Sequence, residues 1–308
     1  MPLDPQAQAA LDRATQMNLP PVHTISPAQA RENARLRAQE PGPEVAAVED
    51  YLVSGHQGMV TARVYVPAGT GPFPALIWFH GGGWVQGDLE GTDANARELT
   101  SLSGCLVASI DYRLAPETKF PGPAEDCYAS TRWIVQNASR LNINPHKIAV
   151  GGYSAGGNLA AAVSIMARDR SEISLVFQLL VCPVLDRDFA RESYLRNGDG
   201  YGLTRDVMVW YWNHYLRDDS DASDPYAAPL QATDLSHLPP AFVISAEYDP
   251  LCDEASEYAK LLQAAGVPAN HVRYDGMTHG FFGMTSVIDK GKQAIEDAAS
   301  SLRVALFS

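Results

Sequence analysis

The chain alternates between two hydrophobic patterns from about residue 48 onward. Short apolar runs are typical of strands covered on both faces, whereas Val60 to Val66 alternates as a half-buried strand does. Longer stretches typical of helices separate these runs. Predicted strands lie at 60–66, 75–79, 105–110, 147–150, 175–181, 241–245 and 271–274, and predicted helices at 91–102, 122–138, 155–169, 252–265 and 285–305. This order predicts an α/β fold with a mostly parallel central sheet flanked by helices.

The first forty or so residues have the pattern of two short helices. The second begins at a capping box in which Ser26 is the N-cap, Pro27 occupies the first helical position and Gln29 reaches back. Pro41-Gly42-Pro43 is expected to end this segment.

A long stretch between Pro183 and Ala241 interrupts the alternation, because a strand-to-strand crossover needs far fewer residues. It contains a predicted helix at 206–216 that is apolar on more than one face and must be covered on several sides. We interpret this stretch as part of a helical cap over the sheet. The predicted division is a catalytic domain at 46–186 and 235–308 and a cap at 1–45 and 187–234.

The amino-acid composition and net charge exclude several classes of protein. Of the 308 residues, 46% are hydrophobic and 19% are charged, which suits a sizeable core, and a net charge of −13 argues against a nucleic-acid partner. The four cysteines lack metal-ligand spacing and are predicted to be buried free thiols. The N-terminus has no signal-peptide pattern, and no apolar stretch is long enough for a membrane helix. We therefore expect a cytoplasmic protein without a membrane partner.

The clearest chemical signal is the pentapeptide Gly152-Tyr153-Ser154-Ala155-Gly156, which follows a predicted strand and opens an alanine-rich helix. A sharp strand-to-helix turn holds such a serine in a strained conformation at the carboxyl edge of the sheet. The two glycines are needed because the arms of the turn nearly touch. This context predicts that Ser154 is a nucleophile.

A second signal is His80-Gly81-Gly82-Gly83-Trp84 at the end of another predicted strand. Acyl transfer places negative charge on a carbonyl oxygen, and backbone N–H groups aimed at it stabilise the transition state. We predict an oxyanion hole formed by Gly82, Gly83 and Ala155, with Gly81 as an alternative donor. His80 is expected to hold this loop rather than to act as a base.

Two further loops supply the partners of the serine. Asp249 follows the strand at 241–245, whereas its rivals Asp253 and Glu254 fall inside the next helix and are expected to project away. His279 lies in a loop near the end of the chain, after the strand at 271–274. The order Ser154, Asp249, His279 is the order found in the α/β-hydrolase fold. We predict that these three residues form a catalytic triad.

Aromatic side chains near these loops are candidates for lining the substrate pocket; for those in the cap, packing in the cap core is the alternative. The candidates are Trp84, Tyr153, Trp210, Tyr211, Trp212, Phe281 and Phe282.

The motifs together resemble the bacterial hormone-sensitive-lipase-like esterases of the α/β-hydrolase superfamily, from about residue 50 to the C-terminus. The motifs that carry the resemblance are His80–Gly83, Asp111–Glu117, Gly152–Leu159, Asp249–Leu251 with Asp253-Glu254, and His279–Phe281. The resemblance implies a two-part cap, no cofactor, activity on short to medium acyl esters, and compatibility with a homodimer through the edge strand at 271–274. The chain departs from the family at Tyr153, where an acidic or small residue is usual. The resemblance therefore does not predict which hydrogen bonds support the turn that carries Ser154.

The predicted function is that of a serine carboxylesterase acting on a small-molecule ester through an acyl-enzyme intermediate. Activity is expected to fall at acid pH, where the histidine is protonated. An amidase, a lactonase or a deacetylase could use the same triad, and a non-catalytic ligand-binding relative is a less favoured alternative. No metal is predicted, because HExxH and clustered ligands are missing from the sequence.

Overall fold

The computed structural model describes residues 2–36 and 42–307. Its strands are β1 (Ala47–Gly55), β2 (Gly58–Val66), β3 (Phe73–Phe79), β4 (Leu106–Asp111), β5 (Ile143–Tyr153), β6 (Phe177–Val181), β7 (Ala241–Tyr248) and β8 (Ala269–Thr278). Its α-helices are α1 (Pro5–Gln16), α2 (Pro27–Arg35), α3 (Leu89–Ser103), α4 (Gly122–Gln136), α5 (Ala155–Arg170), α6 (Glu192–Asn197), α7 (Arg205–Tyr215), α8 (Cys252–Ala264) and α9 (Asp289–Phe307). Short 3-10 helices lie at Val22–Thr24, Asp219–Ser223, Pro229–Gln231 and His279–Gly283.

Within the described residues the strands form one eight-stranded sheet in the order β1-β2-β4-β3-β5-β6-β7-β8. The pairs β1–β2 and β2–β4 are antiparallel, and all the other neighbouring pairs are parallel. The predicted mostly parallel sheet is therefore confirmed. Parallel strands end at the same edge, so the loops after β3, β5, β7 and β8 are brought together.

Helices cover both faces of the sheet, which explains why β3 and β6 are buried along their whole length. Side chains of α3 and α9 share one hydrophobic cluster with one face of the sheet. Side chains of α4, α5, α7 and α8 share the other cluster. The predicted α/β architecture, a central sheet flanked by helices, is confirmed.

Strand β1 is absent from the sequence-based prediction. Most of its residues are exposed or half-buried, and it lies at the edge of the sheet, paired only with β2 among the described residues. A strand exposed in this way carries charged residues such as Glu49 and Asp50 and lacks a clear alternation.

The two predicted N-terminal helices are present as α1 and α2. Ser26 caps α2 by accepting a hydrogen bond from the backbone N–H of Gln29, at 3.3 Å. Pro41, which was expected to help end this segment, lies outside the described residues.

The stretch between β6 and β7 carries α6, α7 and two of the 3-10 helices. Helix α7 is buried on more than one side, through Val207, Met208, Tyr211, Trp212 and Tyr215, as its apolar pattern predicts. We use the term cap segment for residues 187–234, and the division of the chain into a catalytic domain and a cap stays a prediction.

The four cysteines are free and buried, as predicted. In the described part of the chain, no helix combines the length and the apolar character needed to cross a bilayer.

Candidate active site

The turn between β5 and α5 places Ser154 at the carboxyl edge of the sheet. Ser154 has φ 59° and ψ −118°, a strained conformation for a residue with a side chain. A Cβ on Gly152 would lie 2.2 Å from the carbonyl oxygen of Gly156, and a Cβ on Gly156 would lie 1.9 Å from that of Phe79. Glycine is therefore required on both arms of the turn by the close approach of the backbone.

Ser154, His279 and Asp249 form a hydrogen-bonded chain. Nε2 of His279 lies 3.0 Å from Oγ of Ser154, and Nδ1 of His279 lies 2.7 Å from Oδ2 of Asp249. The Asp249 side chain is fully buried, and the His279 side chain is 12% exposed. Their positions in sequence are far apart, and the sheet brings them together because β5, β7 and β8 end at one edge. The structure thus joins the three residues named from the sequence.

The loop that carries Asp249 is held from several directions. Oδ1 of Asp249 accepts a hydrogen bond from the backbone N–H of Leu251 at 2.9 Å. The side-chain amide of Asn197, in the cap segment, donates to the backbone carbonyls of Glu247 at 2.9 Å and of Asp249 at 3.2 Å. The carboxylate of Glu247 accepts from the backbone N–H of Gly276, near the end of β8, at 2.7 Å. The loops of the acid and of the histidine are therefore tied to each other.

The rival carboxylates on α8 point elsewhere. Asp253 accepts a hydrogen bond from the backbone N–H of Ser193 at 2.8 Å. Glu254 accepts from the backbone N–H groups of Leu185 and Asp186 at 2.6 and 3.0 Å. Both side chains stabilise the passage from β6 into the cap segment.

The glycine loop after β3 lies against the serine turn. A Cβ on Gly81 would lie 3.4 Å from Cβ of Ser154, so this loop borders the serine directly. Gly82 and Gly83 have φ 117° and 60°, values that favour glycine. Among the described residues, the backbone N–H groups of Gly82, Gly83 and Ala155 donate to no backbone carbonyl.

His80 holds the glycine loop in place through contacts of its ring and its backbone carbonyl. Its Nδ1 lies 2.8 Å from the carbonyl oxygen of Gly81, and its ring stacks on Tyr112 with centroids 4.3 Å apart. The Tyr112 hydroxyl donates to the His80 carbonyl at 2.8 Å. Burial lowers the pKa of His80, which keeps the ring neutral. Its surroundings agree with the expected structural role.

The aromatic side chains proposed to line the pocket differ in how deeply they are buried. Tyr153 and Trp210 are half-buried, and Tyr211 is 9% exposed. Tyr211 lies over the glycine loop, since a Cβ on Gly83 would lie 2.2 Å from its ring, and its hydroxyl accepts from Nε2 of Gln86 at 2.9 Å. Tyr211 therefore contacts the glycine loop from the cap segment.

The other aromatic candidates belong to the two hydrophobic clusters. Trp84 has no exposed surface; it stacks on Tyr215 with centroids 4.1 Å apart, and its Nε1 donates to Asn158 at 3.3 Å. Trp212 and Phe281 also have no exposed surface, and Phe282 is 1% exposed. For Trp212, in the cap segment, this burial agrees with packing in the cap core, whereas Trp84, Phe281 and Phe282 pack in the core around the sheet.

Within the part of the chain that the structure describes, one set of side chains has donor atoms close enough to hold a metal ion: Cys182, Asp249 and His279, whose ligand atoms lie within 4.8 Å of one another. The 2.7 Å between the imidazole nitrogen and the carboxylate is a hydrogen-bond distance, whereas two ligands of one tetrahedral zinc ion lie roughly 3.3 Å apart. Burial, followed by the charge of Asp249, raises the pKa of the Cys182 thiol well above its usual value. A protonated thiol beside a hydrogen-bonded pair fits a triad better than a metal site.

Sequence reasoning missed two buried asparagines that support the site. Asn158 accepts from Trp84 and donates to the carbonyl of Ala227 at 2.8 Å, which links the glycine loop to the cap segment. Asn197 holds the acid loop, as described above. Asn158 lies inside the Gly152–Leu159 motif, whereas nothing in the local sequence distinguishes Asn197 from a surface residue.

Comparison with known proteins agrees with this geometry. A family model described as the alpha/beta hydrolase fold matches residues 76–283. An arylesterase of Saccharolobus solfataricus is 38% identical over 286 residues, covering 92% of this chain and 93% of the relative.

Two solved structures are also similar over nearly the whole chain. One is an ester hydrolase from the metagenome of Lake Arreo in complex with a bipyridine phosphonate derivative, with 38% identity, a TM-score of 0.95, and coverage of 99% of this chain and 100% of that chain. The other is a hyperthermophilic esterase from the archaeon Pyrobaculum calidifontis, with 40% identity, a TM-score of 0.92, and coverage of 99% of both chains. The chain therefore belongs to the α/β-hydrolase family, within its hormone-sensitive-lipase-like esterases.

Proposed function

We propose that Ser154, His279 and Asp249 are the catalytic triad of this carboxylester hydrolase, and that it cleaves short- to medium-chain acyl esters. The observation that carries the proposal is the hydrogen-bonded chain from Ser154 Oγ through both nitrogens of His279 to Asp249. A serine hydroxyl needs an adjacent base to become a nucleophile, and the base needs a partner that fixes its tautomer.

In the acylation step, His279 Nε2 accepts the proton of the Ser154 hydroxyl while Oγ attacks the ester carbonyl carbon. The C–O bond to the alcohol breaks as His279 returns that proton to the leaving oxygen. Asp249 keeps the proton of the imidazole on Nδ1 and stabilises the imidazolium that forms. In the deacylation step, His279 takes a proton from a water molecule, whose oxygen attacks the acyl carbon. The bond from that carbon to Oγ of Ser154 then breaks as His279 returns the proton to Oγ, which releases the acid and restores the free serine.

We assign the oxyanion hole to the backbone N–H groups of Gly82, Gly83 and Ala155, with Gly81 as an alternative to one of the glycines. Support comes from the position of the glycine loop beside Ser154 and from the N–H group of Ala155 at the first position of α5. A helix N-terminus leaves such N–H groups unpaired and carries partial positive charge, which favours the negative oxygen.

The limited exposure of the site supports a preference for short acyl chains. Ser154 is 7% exposed, and Tyr211 in the cap segment lies directly over Gly83. Tyr211, with Trp210 and Tyr153, is proposed to contact the substrate, whereas Trp84 and Phe281 would reach it only after a rearrangement of the packing around them.

The test of this function compares the wild type with Ser154→Ala and with a control, Ser164→Ala. Ser164 is a buried serine on α5 whose hydroxyl bonds the carbonyl of Ala160. Ser154→Ala should lower kcat by several orders of magnitude on nitrophenyl esters, while Ser164→Ala should retain activity. Labelling by an organophosphate should occur at Ser154. Retained turnover in Ser154→Ala would refute the triad.

A series of nitrophenyl esters from acetate to palmitate tests the chain-length preference. The highest kcat/KM is expected on the shorter chains, and a maximum at palmitate would refute the limited pocket. Amide, lactone and acetylated-sugar substrates in the same panel would reveal whether the triad serves another acyl transfer.

A homodimer through β8 and a cytoplasmic location are further parts of the proposal. Strand β8 pairs with β7 on one side, and no other described strand pairs with its second edge. The location is supported by the four free, buried cysteines, which suit a reducing compartment. Sedimentation equilibrium of the purified protein and fractionation of the native host would test the two statements.

A further inference from the structure

The tyrosine that precedes the nucleophile reaches the loop of the general base. The Tyr153 hydroxyl donates a hydrogen bond of 2.6 Å to the backbone carbonyl of His279, across 126 positions of sequence. The ring of Tyr153 also stacks on the imidazole, with centroids 5.3 Å apart and planes inclined by 26°. One side chain therefore contacts both the backbone and the ring of His279.

Tyr153 is confined on its other sides. A Cβ on Gly81 would lie 2.9 Å from Cδ1 of Tyr153, so the glycine loop closes over one part of the ring. The ring also stacks on Phe282, with centroids 6.3 Å apart. Tyr153 thus lies between the glycine loop and the histidine loop, while its own backbone leads directly into Ser154.

The contact from Tyr153 falls at the start of the histidine loop, at His279 itself. His279 is the first residue of the 3-10 helix His279–Gly283, and its N-cap, Thr278, makes no side-chain capping hydrogen bond. Asp249 and Ser154 bind the imidazole nitrogens, and the pairing of Thr278 with Tyr248 of β7 holds the backbone just before His279. The bond from Tyr153 fixes the carbonyl of His279 and therefore the point from which the imidazole extends.

We propose that Tyr153 is a positioning residue that holds His279 in line with Ser154. The proposal rests on the proposed function, because it assigns a role through the general base. A reach of this kind needs a long side chain with a terminal donor and a flat face.

The experiment measures kcat and KM for Tyr153→Phe and Tyr153→Leu, alone and in a His279→Ala background. Tyr226→Phe is the matched control, because the Tyr226 hydroxyl also makes one hydrogen bond, to Asp169 at 2.9 Å on the surface. Tyr153→Phe removes the hydrogen bond and keeps the ring, whereas Tyr153→Leu removes both. Thermal unfolding of each variant reports whether the fold is retained.

Tyr153→Phe is expected to lower kcat between about twofold and tenfold with KM nearly unchanged, since one neutral hydrogen bond is lost. Tyr153→Leu should lower kcat further, so that phenylalanine partly rescues it. In the His279→Ala background the residual rate should not respond to Tyr153→Phe, because the residue to be positioned is gone. Tyr226→Phe should leave kcat unchanged in both backgrounds.

An unchanged kcat in Tyr153→Phe, or an equal loss with and without His279, would overturn the role of Tyr153. Organophosphate labelling separates this result from a failure of the proposed function. A wild type that is not labelled at Ser154 overturns the function and the positioning role together. A labelled wild type with an unaffected Tyr153→Phe overturns the positioning role alone.

Discussion

Glu254 is a fully buried carboxyl group on α8 whose protonation should make the stability of the fold depend on pH. Its Oε2 accepts the backbone N–H groups of Leu185 and Asp186, and its Oε1 has no partner among the described residues. Burial raises the pKa of Glu254 from 4.5 to about 8, although the two backbone hydrogen bonds oppose the shift. The folded chain therefore holds a proton that the unfolded chain releases in mildly acid solution.

The sign of the effect follows from proton binding. The free energy of unfolding gains its full contribution from this group below pH 4.5 and loses it as pH rises towards 8. One pKa unit corresponds to 1.36 kcal/mol, so the contribution lost between pH 5 and pH 8 is at most about 4 kcal/mol. Glu254→Gln removes the titration while keeping an oxygen that can accept the same N–H groups.

Urea unfolding at pH 5, 6, 7 and 8 measures this contribution. Relative to the wild type, Glu254→Gln should become steadily more stable as pH rises, and Glu296→Gln, an exposed carboxyl on α9, serves as the control. A stability difference between wild type and Glu254→Gln that is the same at pH 5 and pH 8 would refute the buried, protonated carboxyl.

Three other substitutions test contacts around the site. Asn197→Ala should lower the free energy of unfolding by about 1–3 kcal/mol and reduce kcat, because two carbonyls of the acid loop lose their donor; unchanged urea midpoint and kcat would contradict this. Gly156→Ala should abolish esterase activity, since its Cβ would lie 1.9 Å from a backbone oxygen, whereas Gly91→Ala on the exposed side of α3 should be tolerated in the same assay. Arg31→Ala should lower kcat/KM several-fold, because Arg31 binds the backbone carbonyl of Val85 beside the glycine loop at 2.8 Å; an unaltered kcat/KM would show that this tie is dispensable.

The sequence predicts the sheet well, and the three residues it names for a triad do meet in the structure, because strands and turns leave local patterns. Buried parallel strands give continuous apolar runs, and the turn at Ser154 requires small residues at fixed spacing on either side. Strand β1 is not predicted, because its exposed residues lack an apolar pattern. It is stabilised by pairing with β2, a contact that the sequence alone does not reveal.

Side-chain networks are harder to predict than strands. The hydroxyl of Tyr153 finds a carbonyl 126 positions away, and Asn197 binds carbonyls about fifty positions away. Such contacts depend on how the loops at the sheet edge pack. The aromatic candidates show the same limit, since Trp84 and Tyr211 have similar sequence signals, yet one is enclosed by Tyr215 and the other lies over Gly83.

The cap segment supplies Asn197 to the acid loop and Tyr211 to the glycine loop. In the proposed function, a change in the cap segment would therefore alter both the acyl-chain preference and the reaction rate. Grafting this segment from an esterase with a different preference would exchange the support of Asp249 along with the pocket wall. Laboratory evolution of a new substrate range should therefore accumulate compensating changes in the loop after β7, which carries Asp249.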